Sequence, residues 1–158
     1  MAYNDYSHFP SGRYVYGTFV FGYPFDTVAG VQKTVKFALD HHFAIANFNP
    51  LMPMPGTALY DRLKAEGRLI HDKWWIDPSY CYGDAMLQPG AMTGEQLKAA
   101  CKSARFEFNS YKNIFQRLFF GGSPNRASLE NVVIYLLANF ISRGEIMAKQ
   151  GQKLGGGS

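Results

Sequence analysis

The chain has 158 residues, of which 47% are apolar and 16% aromatic, and this composition fits one globular domain and excludes a disordered protein. Sixteen basic and twelve acidic residues leave a net charge of +4, which is too mild by itself to indicate a nucleic-acid partner. The two cysteines, Cys81 and Cys101, exclude a disulfide scaffold and any metal site that needs three or four thiolates from this chain.

We expect a soluble, cytoplasmic protein with reduced thiols and no membrane span. The first apolar run follows polar residues and not the basic region and apolar core of a secretory signal. The most apolar stretch, residues 132–141, is too short for a bilayer, which needs roughly 20 residues.

The first predicted elements are a strand, a helix and a second strand. After an irregular lead-in over residues 1–12, residues 13–22 are nearly all β-branched or aromatic, which is typical of a strand buried on both faces. A turn follows, and Asp26 and Thr27 are good N-cap residues for a helix with apolar residues at helical spacing. Residues 43–49 predict the second strand.

Two strands joined by one helix predict a parallel pair with a right-handed crossover. Both strands then end at the same edge of the sheet, where the loops 22–27 and 49–57 lie side by side. Ligands of parallel sheets bind at this carboxyl edge. The second loop carries three prolines, so we expect it to be stiff and extended.

The remaining chain is predicted to be mostly helical. Thr57 caps a short helix that ends at Gly67, and an irregular connection follows over residues 71–92. Thr93 and Gln96 match a capping box. The box predicts one long helix with a buried seam of apolar residues: Leu97, Cys101, Ala104, Phe108, Tyr111, Phe115 and Leu118.

A glycine-rich break precedes a second helix, and the two form an αα-hairpin within a helical C-terminal extension over residues 93–150. Residues 151–158 are predicted to be a flexible tail. Ser128 caps the second helix, whose apolar stripe is Leu129, Val133, Leu136, Phe140 and Met147.

Several residues that could carry chemistry have a simpler structural interpretation. His41 and His42 point about 100° apart on a helix and cannot share a metal. Gly17, inside a strand, predicts close approach of another backbone or of a ligand ring. The basic residues of the long helix favour a solvated face, with a nucleic-acid patch as the lesser alternative: Lys98, Lys102, Arg105, Lys112 and Arg117.

Four motifs in order at the predicted carboxyl edge carry a family resemblance. They are GTFVFGYPFDT at 17–27, TVKFA at 34–38, NPLMPMPGTALY at 49–60 and EGR at 66–68. They resemble the later part of radical S-adenosylmethionine (radical SAM) enzymes, most closely the class with an N-terminal cobalamin-binding domain. The resemblance covers about residues 13–70. It implies an α/β fold in which the βαβ unit forms the last strands of a partial (β/α) barrel, followed by the helical extension.

The resemblance also implies cofactors and site residues. The family binds S-adenosylmethionine and a [4Fe–4S] cluster, and it uses cobalamin held by the N-terminal domain. The family's CxxxCxxC cluster loop does not occur here, so the resemblance implies a fragment that is inactive alone and has no catalytic or metal-ligating residue. Six residues are placed by position near the adenine of S-adenosylmethionine: Phe19, Phe21, Gly22, Leu51, Met52 and Pro53.

The predicted partner of such a fragment is the missing N-terminal barrel half or a second copy of the chain. Its substrate is not identified by the sequence, and nucleic acid is not expected. The alternative function is a non-catalytic helical interaction module, which binds a partner protein or nucleic acid through the basic, aromatic C-terminal helices.

Overall fold

The computed structural model describes residues 14–153, so the predicted lead-in over 1–12 and most of the predicted tail lie outside the described residues. Within this range the elements are two strands and five α-helices, with short 3₁₀ turns at Trp74–Ile76 and Pro124–Arg126. Their bounds are β1 Tyr16–Phe21, α1 Val28–Asp40, β2 Ile45–Pro50, α2 Ala58–Ala65, α3 Gly94–Phe108, α4 Tyr111–Phe119 and α5 Leu129–Lys149.

The strands β1 and β2 pair in parallel, with α1 as the crossover between them, as the strand–helix–strand pattern predicts. Tyr16 lies opposite Ile45, and Phe21 lies opposite Pro50. The side chain of Thr27 accepts a hydrogen bond from the Gly30 amide and begins α1. Both strands therefore end together at one carboxyl edge.

The main core lies between one face of this sheet and the helices α1 and α3. Phe48 on β2 is fully buried there, against Phe108 of α3. The prediction that β1 is buried on both faces is wrong, because Tyr16, Thr18 and Val20 are exposed on the other face. The helices α1 and α3 cover one side of β1 and leave its other side exposed, so this strand alternates between core and surface.

The close approach at Gly17 comes from side chains of the protein and not from the backbone or ligand ring that the sequence predicts. A Cβ atom at this position would lie 2.7 Å from the ring of Phe43, closer than real Cβ contacts allow. Phe19 stacks between Phe43 and Phe48, with ring centroids 6.0 and 5.3 Å away. An aromatic cluster thus occupies the space that a side chain at Gly17 would need.

The predicted long helix is divided into α3 and α4 at Asn109 and Ser110. The Asn109 side chain donates to the Arg105 carbonyl at 2.9 Å, and the Ser110 side chain accepts from the Asn113 amide as the N-cap of α4. The new direction of α4 removes Tyr111 and Phe115 from the predicted seam and leaves both exposed.

The apolar stripe predicted for α5 is likewise wrong. Leu129, Val133 and Phe140 are exposed, whereas the fully buried residues of α5 are Tyr135 and Asn139. Tyr135 packs with Ile114 and Leu118 of α4 and donates its hydroxyl proton to the Ile114 carbonyl at 2.9 Å. Buried hydrogen-bonding partners, rather than apolar area alone, decide which side of α5 faces inward.

Side chains of the helices occupy the outer edge of β2, and this corrects the predicted barrel. Arg105 donates to the Phe48 carbonyl at 2.8 Å, and Arg117 and Asn139 donate to the Ala44 carbonyl at 3.0 and 3.1 Å. A barrel wall continues from strand to strand through backbone pairs. Among the described residues the sheet instead consists of two strands, β1 and β2.

Candidate functional site

The carboxyl edge of the sheet is formed by the turn after β1 and the loop after β2. The Leu51 amide donates to the Phe21 carbonyl at 2.6 Å, which ties the two segments together immediately beyond the strands. Gly22 follows with a φ of 128°, a conformation that side-chain-bearing residues rarely adopt. A Cβ atom there would lie 3.2 Å from the Cβ atom of Leu51 and from a methyl group of Leu97.

Asp26 holds the turn after β1. Its carboxylate accepts hydrogen bonds from the amides of Gly22 at 2.8 Å and Tyr23 at 2.9 Å, and its own amide donates to the Tyr23 carbonyl. The prediction that Asp26 caps α1 is therefore corrected, because Thr27 is the N-cap. The effect of Asp26 is to fix the backbone of Gly22 beside the second loop.

The loop after β2 runs without regular secondary structure from Leu51 to the start of α2. Pro53 is buried, whereas Met52 and Met54 are exposed. Thr57 closes the loop: its hydroxyl donates to the Met54 carbonyl at 2.7 Å and accepts from the Tyr60 amide. Met52 thus presents a flexible, polarisable thioether to solvent next to a constrained backbone.

The six predicted adenine-side residues divide between core and edge. The side chains of Phe19 and Phe21 belong to the helix-covered face, where both pack with the main core. Gly22 and Pro53 are buried, Leu51 is partly buried and Met52 is exposed. The structure brings Gly22 and Leu51 together. The ring of Phe19, in contrast, stacks on the rings of Phe43 and Phe48 in the core.

The open face of the sheet carries polar groups that the sequence reasoning missed. Tyr16 and Asn47 are hydrogen-bonded to each other on this face. Near the carboxyl edge, Val20 of β1 lies in register with Asn49 of β2. The alternation of alanine or phenylalanine with asparagine along β2 was the available signal, because such a period of two places both asparagines on one face.

The guanidinium of Arg105 connects this face to the end of α5. It donates to the Gln150 side chain at 2.8 Å and lies 3.5 Å from the Asn49 side-chain oxygen, and the Tyr82 ring faces it at 5.8 Å. A Cβ atom at Gly83 would lie 2.6 Å from Gln150 and 3.1 Å from Arg105. Arg105 is therefore buried, and its guanidinium holds β2 and the end of α5 together.

The connection after α2 holds a histidine–carboxylate pair that was not predicted. His71 Nδ1 lies 2.6 Å from a carboxylate oxygen of Asp77, and the Ser79 amide and hydroxyl bond the other oxygen at 2.8 and 2.6 Å. The hydrogen bond from the Ser79 side chain, followed by that from His71, lowers the pKa of Asp77 to about 2. The pair stabilises the turn that follows Trp74–Ile76.

The predicted basic face is interrupted, so it does not support the nucleic-acid part of the interaction-module alternative. Arg105 and Arg117 are buried, and Lys98 pairs with Asp84 at 2.8 Å. Desolvation lowers the pKa of Arg117 to about 10, although it remains a cation at neutral pH. Two of the five predicted basic residues are thus buried in the interior. The remaining exposed lysines are too few to form a continuous anion-binding surface.

The cysteines occupy separate environments. Cys101 is fully buried in the core, as predicted, and burial raises the pKa of its thiol to about 11. Cys81 is partly exposed and pairs through its backbone with Lys153. Within residues 14–153, no group of three or more His, Cys, Asp or Glu side chains could hold a metal ion. In the same part of the chain, no helix is both long and apolar enough to cross a bilayer.

Comparison with known proteins identifies two curated relatives with a stated activity. The chain is 29% identical over 97 residues to an uncharacterized methyltransferase of Pyrococcus horikoshii, a match that covers 61% of this chain and 20% of the relative. It is 30% identical over 83 residues to the bacteriochlorophyllide d C-12(1)-methyltransferase of Chlorobaculum tepidum, covering 52% of this chain and 17% of that protein. The matched part of the chain therefore spans about a fifth of the length of these relatives.

No family model matches the chain. No solved structure matches it either.

These findings correct the resemblance to radical SAM enzymes and its cobalamin-binding class. Both relatives are described as methyltransferases, and neither description names a radical enzyme, an iron–sulfur cluster or cobalamin. The prediction of a radical iron–sulfur enzyme fragment is therefore wrong as well. Within residues 14–153, a βαβ unit followed by helices is consistent with a small Rossmann-like fold rather than with part of a barrel. The chain is thus similar, over part of its length, to two methyltransferases.

Proposed function

We propose that this chain is part of a methyltransferase that takes its methyl group from S-adenosylmethionine, and that the carboxyl edge of the sheet contacts the adenosyl group. The observation that carries the proposal is that both relatives, aligned over more than half of this chain, are described as methyltransferases. S-adenosylmethionine is the donor that fits this activity.

The position of the edge supports the binding part of the proposal. Nucleotide-like ligands of open parallel sheets bind where the strands end, beside the turn that follows the first strand. Here that turn is fixed by Asp26 and joined to the second loop through the Leu51 amide. A rigid edge of this kind holds Leu51 and Met52 in fixed positions beside Gly22, so that a flat ring can pack against them.

The residues at this edge suit an adenine ring. Val20 and Met52 offer exposed apolar atoms, and Asn49 offers a side-chain amide on the open face. Adenine presents a donor and an acceptor side by side, and a carboxamide can bond both. The chemistry that the bound cofactor supplies is transfer of its activated methyl group, which leaves S-adenosylhomocysteine. The residues of this chain position the adenosyl part.

Of the six residues predicted for this contact, we propose Gly22, Leu51 and Met52 as the ones that touch the ring. Phe19, Phe21 and Pro53 support the edge from beneath, because their side chains pack into the protein. This division keeps the predicted location and changes the role of the aromatic residues from contact to support.

The test is calorimetric titration of the 158-residue chain with S-adenosylhomocysteine, competed with adenosine or inosine. We expect saturable binding with a Kd below about 1 mM, displaced by adenosine and not by inosine, which lacks the exocyclic amine. The exposed substitution Met52→Glu should weaken binding about tenfold or more through loss of the apolar contact. Met54→Glu, two residues further on and also exposed, is the matched control and should have no effect.

Absence of saturable binding by the folded chain would overturn the proposal. So would equal losses from Met52→Glu and Met54→Glu, since the affinity would then depend on the charge of the loop and not on contact at Met52. Displacement by inosine and adenosine alike would exclude the adenine-specific part.

A further inference from the structure

One side of α5 is apolar and exposed along most of its length. Leu137 is 57% exposed and Ile141 62% exposed, and Val133, Ile134 and Phe140 lie on the same side of the helix at 3- and 4-residue spacings. We call these five residues the outer face of α5. The opposite side holds Tyr135 and Asn139, which are buried against the rest of the protein. Val132 and Leu136 also pack on that inner side, so α5 carries apolar residues on both sides, which is typical of a helix that is covered on both sides.

The helix α4 widens this surface. Tyr111 packs edge-on against Phe140, with ring centroids 6.2 Å apart, and the guanidinium of Arg143 lies 4.3 Å from the Tyr111 ring. Phe115, one turn further along α4, is also exposed. A groove of about 450 Å³ between the two helices ends at Gly144 and Met147. The exposed apolar atoms therefore form one continuous area and are not scattered.

We propose that the outer face of α5 is the interface of a symmetric homodimer, in which α5 packs antiparallel against α5 of a second copy. With Leu137 opposite Ile141 of the second copy, Ile134 falls opposite Gly144, where a side chain would meet nothing within 4 Å in one copy. A twofold interface needs such a self-complementary arrangement of large and small residues.

The charges at the two ends of α5 fit this orientation. Glu130 lies in the first turn, and Lys149 lies in the last turn, where it is exposed and pairs with Glu145 of its own helix at 3.2 Å. In an antiparallel pair, each Glu130 lies beside Lys149 of the second copy, so two opposite-charge pairs flank the apolar centre. A parallel pair would place like charges together at both ends.

The area is sufficient for a dimer of moderate affinity. The surface consists of seven side chains, namely the five of the outer face together with Tyr111 and Phe115. Each is about half exposed, and together they present roughly 600 Å² of apolar surface per copy. Two copies would bury about 1,200 Å², at the lower end of stable interfaces, so we expect a dissociation constant in the micromolar range.

The test is sedimentation equilibrium of the chain between about 1 and 200 μM. We expect a reversible monomer–dimer equilibrium, and Leu137→Lys should raise the dissociation constant about thirtyfold or more, because it places a charge at the centre of the interface. Ile76→Lys is the matched control, an exposed isoleucine in the 3₁₀ turn, and should leave the dimer unchanged.

Charge reversal tests the antiparallel register and separates a second copy from another partner. Glu130→Lys alone and Lys149→Glu alone should each weaken the dimer several-fold, and the double reversal should restore it. A monomer throughout the concentration range would overturn the proposal. So would a dimer that Leu137→Lys leaves intact, or association of the wild-type chain with uncharged lipid vesicles in place of dimerisation.

Discussion

At the level of single residues, Gly22 shows how backbone conformation and packing combine at one position. Its φ of 128° excludes a strain-free side chain, and the neighbouring Leu51 and Leu97 leave little room for one. Gly56 also has a positive φ, of 79°, but a Cβ atom there would meet nothing within 4 Å. A side chain would therefore meet both backbone strain and steric crowding at Gly22, but backbone strain alone at Gly56.

We predict that Gly22→Ala lowers the free energy of unfolding by about 2–3 kcal/mol, because it adds both strain and contact with Leu51. Gly56→Ala should cost only about 1 kcal/mol, since it adds strain alone. Urea denaturation of both variants provides the measurement. Equal losses would mean that the packing beside Gly22 is not tight.

Asp77 gives the protein an acid-sensitive component of stability. Its pKa is lowered from 3.8 to about 2 in the folded protein by hydrogen bonds from Ser79 and His71. Because the folded-state pKa lies below the unfolded value, this stabilisation is present above pH 3.8 and is lost as the pH falls through about 2.

We expect Asp77→Asn to lower the melting temperature at pH 6, with a difference from wild type that shrinks between pH 4 and pH 2. Ser79→Ala, which removes only the hydroxyl donor, should give a smaller difference over the same range. Thermal denaturation as a function of pH provides both profiles. A difference that stays constant down to pH 2 would contradict the assigned cause.

At the level of secondary structure elements, the main feature is that side chains close the outer edge of β2. The guanidinium of Arg117 is buried and donates to five oxygens, of which two are the carbonyls of Phe43 and Ala44 at the start of the strand. It also stacks on the Phe108 ring at 3.7 Å. This residue joins β2, α3, α4 and α5.

We predict that Arg117→Leu lowers the free energy of unfolding by about 2–5 kcal/mol, because several buried oxygens lose their donor. Arg117→Lys keeps the charge but has fewer, differently arranged donors, and should lose an intermediate amount. Lys112→Leu, at an exposed position of the same helix, is the control and should change stability by less than about 0.5 kcal/mol. Arg117→Leu with wild-type stability in urea would contradict this account.

At the level of the whole molecule, the main feature is the segment after α5. Residues 150–152 of this segment contact both α3 and the irregular connection that follows α2. The Tyr82 amide donates to the Gln152 carbonyl at 2.8 Å, the Gly151 amide donates to the Tyr82 carbonyl, and Gln150 accepts from Arg105. The Gln150 side chain also donates to the Tyr82 carbonyl, a contact between residues 68 positions apart. These contacts hold Arg105 against both the sheet and the loop at Tyr82.

We predict that ending the chain after Lys149 increases amide exchange at Tyr82 by about tenfold or more, because its acceptor is removed. Ending it after Lys153 should leave that exchange unchanged. Hydrogen exchange followed by mass spectrometry or NMR measures both. Unchanged protection of Tyr82 in the shorter chain would show that the segment does not hold the loop.

The sequence by itself determined the local elements of this protein. Thr27, Thr57, Thr93 and Ser128 begin helices where their capping patterns predict them, and the strand–helix–strand order determines a parallel pair. These features depend on residues a few positions apart, so a period of hydrophobicity and a capping side chain are enough to indicate them.

Only the tertiary structure decided which side of α5 faces inward, where the predicted long helix divides and where the sheet ends. The sequence favours a solvated face for Arg105 and Arg117, yet both are buried. Together with Asn139 they supply the donors that the carbonyls of β2 need and that no third strand supplies in the described chain. That requirement turns Tyr135 inward and the outer face of α5 outward. Such partners lie up to 95 residues apart, and a local pattern contains no information about them.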